Sequence, residues 1–106
     1  MFVAFEFSLE IIAMLRGVVA RIEKKDGKVA KQIVASASSV AANLAEGSRR
    51  RGLDRMHFYR IAAGSAEETR AHLRVAHAWG WVSAQDISRV LTMIDRELGI
   101  LWALTH

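Results

Sequence analysis

The sequence predicts an all-α protein: an up-down-up-down antiparallel four-helix bundle with apolar surface suited to contacts between copies. Three observations lead there. The 106-residue chain has no proline, and its seven glycines fall mostly near the ends of segments with helical periodicity. Four such segments are joined by links of a few residues, which forces neighbouring helices to run antiparallel. Hydrophobic residues make up 52% of a chain just long enough for one core, so residues 1–106 read as a single domain with apolar surface to spare. Such a surplus often ends up in contacts between copies.

The first helix is expected from about Phe5 to Lys24. Phe5, Leu9, Ile12, Leu15, Val19 and Ile22 recur at intervals of three or four, while Glu6, Glu10, Gly17, Arg21 and Lys24 fall elsewhere. The charges at Glu6, Glu10, Arg16 and Arg21, and the absence of a basic leader, argue against a signal peptide or membrane span. Asp26-Gly27 then signals a turn.

A second helix runs from Lys28 to Glu46, with Val29, Ile33, Val40 and Leu44 as its large apolar residues. The residues between them are mostly Ala and Ser, so another backbone can approach this helix closely. Gly47 is expected to end it in the left-handed C′ position. The third helix starts near Leu53 or Asp54, after an exposed Ser-Arg-Arg-Arg-Gly loop, and reaches Trp79. Its inward set includes Phe58, Ala62, Ser65, Leu73 and Ala76, with Tyr59 and Ile61 close by and Gly64-Ser65 as the crossing point with a neighbour. After Gly80, Ser83 is a good N-cap with Asp86 placed for a capping box. Ile87, Leu91, Ile94, Leu98, Leu101 and Thr105 form the stripe of the fourth helix.

Net charge is +4, and its distribution says more than its total. Residues 1–26 sum to zero, residues 27–51 carry +4, and the last two quarters cancel. Such a basic block suits nucleic acid, an anionic surface or an acidic protein. With no cysteine, disulfide frameworks and thiolate metal sites are excluded, and a cytoplasmic location is the simplest expectation. The four histidines supply no Glu-x-x-His pair of the di-iron type; only Glu68 and His72 share a face. Neither a metal site nor a cofactor is expected, and no nucleophile stands beside an obvious base.

Ser38 to Gly47 (SSVAANLAEG), the arginine loop after it and Phe58 to Glu68 (FYRIAAGSAEE) together resemble a known family. Its members are small bacterial four-helix-bundle proteins encoded in intervening sequences of 23S ribosomal RNA genes. The family often has proline where this chain has Ala41, and the links at Glu23 to Gly27 and Arg49 to Gly52 are shorter here. The resemblance implies a homo-oligomer, typically a ring of five bundles, with no enzymatic activity. It also implies a distant relation to accessory proteins of diversity-generating retroelements, which makes a reverse transcriptase or another protein a candidate partner beside RNA or DNA.

Arg49, Arg50 and Arg51, with Arg55 one turn on, form the first candidate contact surface, since arginine's planar fork matches phosphate. The alternative is a solvated basic turn that offsets Glu46. Lys24, Lys25, Lys28 and Lys31 form a second cluster, roughly 30 Å away along the second helix at 1.5 Å per residue. Asn43, Glu46, Ser65 and Glu68 are expected to form a polar network fixing helix two against helix three, in preference to a catalytic set. Trp79, Trp81 and Trp102 sit near helix ends, where aromatics close a bundle or a subunit contact, or stack on bases.

Overall fold

A computed structural model describes residues 2–106 as four helices: α1 (Val3–Glu23), α2 (Gly27–Ser48), α3 (Gly52–Ala78) and α4 (Ala84–Thr105). Each packs against its neighbour in the chain and α1 closes against α4, giving an antiparallel bundle of 42 × 22 × 21 Å. Among the described residues, no helix is long and apolar enough to cross a membrane.

The helix starts follow local chemistry. The Asp26 side chain accepts from the backbone N–H groups of Lys28 and Val29 at 2.9 and 3.0 Å, capping α2. Ser83 and Asp86 form the expected reciprocal capping box on α4. Two reversals use glycine with positive φ, Gly52 at +57° and Gly80 at +79°.

Gly47 does something else. The helix runs through it to Ser48, and Gly47 is buried. A Cβ there would lie 2.7 Å from Tyr59 Cε1 and 3.0 Å from Phe58 Cβ. The glycine therefore admits the Tyr59 ring against the backbone of α2, and the chain turns only after Arg49. Gly64, expected at a close crossing, has nothing within 4 Å of where a Cβ would sit.

The buried seams are rotated from the expected ones on three helices. On α1 the core side is Ala4, Ser8, Ile11, Leu15, Val18 and Ile22, whereas Phe5, Ile12 and Val19 are half-buried and Leu9 is 43% exposed. On α3, Tyr59, Ala66 and Thr69 are buried while Phe58 and Ser65 are only half so. On α4, Val90 and Glu97 take the inward places expected for Leu91 and Leu98. These helices are apolar over wide arcs, so the neighbours choose which residues face inward. The small side chains of α2 and α3 draw those two helices together, and the larger residues settle at the flanks.

Candidate nucleic-acid interface

The α2–α3 turn carries the arginines. Arg50 is held internally: Nε donates to Glu46 Oε2 and Nη1 to Asp54 Oδ2, each at 3.2 Å. Its guanidinium also lies 5.2 Å from the centre of the Phe58 ring. Glu46, through its hydrogen bond and its charge, makes the Arg50 proton harder to remove than usual. Arg55 reaches back so that Nε donates to the Gly47 carbonyl and Nη2 to that of Ser48, each at 3.4 Å. A cation on the last carbonyls at the C-terminus of α2 also opposes the helix dipole.

Arg49 and Arg51 are exposed, and neither has an ion-pair partner among the described residues. All four arginines are exposed, and they divide into two whose guanidinium groups hold the turn and two whose side chains have no such partner among the described residues.

At the other end, Lys24, Lys25, Lys28 and Lys31 are all exposed around the α1–α2 turn. The α3–α4 turn shares this end of the bundle. There Trp79, 70% exposed, stacks on half-buried Trp81 with ring centres 6.1 Å apart. Arg21 pairs with Asp86, tying α1 to the start of α4. The backbone N–H of Ser83, then Arg21, holds the Asp86 carboxyl below its usual range. At the arginine end, Trp102 is 64% exposed and stacks on His106 at 4.5 Å. Of the three tryptophans only Trp81 packs against the core.

The expected polar network divides. Asn43 Nδ2 donates to Ser39 O at 2.8 Å and Ser39 Oγ at 3.0 Å, and Ser39 and Ser65 share a hydroxyl hydrogen bond of 2.8 Å. Thr69 donates to Ser65 O at 2.9 Å and shares a buried 2.7 Å hydrogen bond with Ser36. Glu46 stands outside this seam, bonded to Arg50, and Glu68 lies at the surface 3.3 Å from His72. A carboxylate at the surface keeps the water that a narrow seam would strip.

Sequence reasoning overlooked Ser36, Ser39 and Thr69. The signal was available: Ser36, Ser39 and Asn43 recur at helical spacing on α2, facing Ser65 and Thr69 one turn apart on α3. Among the described residues no group of three or more His, Asp or Glu side chains could hold a metal ion.

A family model described as 23S rRNA-intervening sequence protein matches residues 3–103. Among solved structures, the chain is similar to a protein of unknown function from the S23 ribosomal protein family of Bacteroides thetaiotaomicron. The TM-score is 0.85 at 19% identity, covering 96% of this chain and 97% of that one, a likeness of fold. No curated protein matches the chain.

Proposed function

Given that the chain belongs to the 23S rRNA-intervening sequence protein family, we propose that it is a non-enzymatic bundle protein that binds nucleic acid through the α2–α3 turn. The observation that carries this reading is the division of labour among the arginines. Arg50 and Arg55 fix the turn through Glu46, Asp54 and the end of α2, which leaves Arg49 and Arg51 exposed on a positioned backbone. A backbone already fixed at the turn loses less entropy when Arg49 and Arg51 meet a phosphate chain than a flexible loop would. The exposed lysines at the opposite end offer a second, weaker contact of the same kind.

Fluorescence anisotropy with a labelled single-stranded RNA at low salt tests the proposal. Wild-type protein binds, and the Arg49→Ala/Arg51→Ala variant binds at least tenfold more weakly. Absence of wild-type binding to RNA and to DNA under those conditions would overturn it. Retention of one protein partner after nuclease treatment would instead favour an adaptor for an acidic protein.

The functional form is a homo-oligomer. A largely apolar groove of about 400 Å³ runs between α1 and α2, walled by Ile12, Val19, Ile33, Val34 and Ala37 and edged by Arg16. A ring needs a heterologous contact, in which this groove meets a different apolar face of the next copy. Trp102 on α4, 64% exposed, supplies one. In a ring of parallel copies each basic turn repeats around a rim, multiplying weak phosphate contacts.

A further inference from the structure

Glu97 is the one fully buried carboxyl, at 0% exposure, and both of its oxygens lack a hydrogen-bond partner among the described residues. It borders a cavity of about 10 Å³ lined by Ser8 and Ile11 of α1, Ala37 and Val40 of α2, Ala66 and Thr69 of α3, and Ile94 of α4. That is space for about one water-sized sphere, far too little to hydrate an ionised carboxylate.

The neighbouring hydroxyls are engaged elsewhere. Ser8 donates to Phe5 O at 2.6 Å, and Thr69 donates to Ser65 O while bonding Ser36. No cation faces the site from any packed helix. On α1, Glu6, Glu10 and Arg16 are exposed, and the stretch of α2 from Gln32 to Ala45 contains no charged residue. On α3, Glu67 is exposed, Arg70 points outward to Asp95 of α4 at 2.9 Å, and half-buried His72 turns to Glu68. On α4 itself, Asp95 and Arg96 are exposed.

We propose that Glu97 is a protonation switch in the bundle core: a neutral acid while the helices are closed, whose ionisation drives α4 away from the other three. Geometry requires the neutral form, because a carboxylate here would have neither counter-charge nor hydrogen-bond donor, and space for about one water at most. Opening the α4 seam is the change that brings water to it.

Burial alone pushes the carboxyl from its ordinary 4.5 up to about 8. Between those values the folded chain keeps a proton that the unfolded chain has lost. Stability is therefore full below the ordinary value, falls as pH rises through this window, and levels off above about 8.

The test is urea unfolding of the full chain at fixed protein concentration between pH 5 and 9, comparing wild type with Glu97→Gln and Glu97→Met. Relative to either variant, the wild-type unfolding constant should rise about tenfold per pH unit up to about pH 8 and then flatten. A ratio constant across that range would overturn the switch. Infrared spectroscopy provides a readout independent of folding yield. A protonated carboxyl band should persist in wild type near pH 7 and be missing from Glu97→Gln, and no such band would equally end the proposal.

Discussion

Replacing Gly47 with alanine should destabilise the bundle, although alanine is the better helix former. The added methyl would stand 2.7 and 2.8 Å from two ring carbons of Tyr59 and 3.0 Å from Phe58 Cβ. Tyr59 is buried and its ring lies 5.6 Å from that of Phe2, so it has little room to retreat. Overpacking of this kind costs about 1–3 kcal/mol, while exchanging glycine for alanine inside a helix returns about 1 kcal/mol. The net loss is about 0–2 kcal/mol. Gly64, with open space around it, serves as the control, and Gly64→Ala should gain about 0.5–1 kcal/mol. Urea denaturation of the two variants should thus place them about 1–3 kcal/mol apart, which follows from the overpacking cost that only one of them carries. In a Tyr59→Leu background the loss at Gly47 should shrink, because only the Phe58 Cβ contact at 3.0 Å remains of the three close ones. Equal stabilisation by Gly47→Ala and Gly64→Ala in the wild-type background would refute the close approach of α2 and α3 at this point.

Two other outcomes follow from the packing. Thr69→Val should cost about 1 kcal/mol through loss of the buried Ser36 hydrogen bond, and the Ser36→Ala/Thr69→Val double variant should cost less than the two singles together. Strict additivity in urea melts would show that the hydroxyls do not act as a pair. Light scattering should give a mass near five times the 11.8 kDa chain at micromolar concentration, falling to one chain in Val34→Glu, whose site is exposed in the single bundle. A wild-type monomer would remove the groove from the account.

The features legible in the sequence are those set by local chemistry. Asp26 and Ser83 mark helix starts because a short acceptor can reach the first free N–H groups, whatever packs around it. The Ala/Ser run of α2 announces a close neighbour, and α3 supplies it. The rotation of the seams was not legible in the same way. Leu9 and Ile12 look as suited to the core as Ser8 and Ile11, and only the placement of α2 and α4 decides between them. Gly47 shows the same limit, since glycine at a helix end and glycine beneath an aromatic ring read alike in one dimension. Glu97 was hidden because Leu98 beside it completes an acceptable stripe, although Val90, Ile94, Glu97 and Leu101 have helical spacing too. Within the basic turn, clustering was visible in the letters, but not which arginines brace the turn and which two do not.

The most direct measurement is the salt dependence of RNA affinity for wild type and for Arg49→Ala/Arg51→Ala. Each phosphate contact on a single strand contributes about 0.7 to the slope of log affinity against log salt, so losing two should lower it by about 1.4 per bound turn. That reduction, with folding unchanged, is what outward-facing Arg49 and Arg51 predict. An unchanged slope would contradict the account and leave the arginine turn a solvated connection between helices.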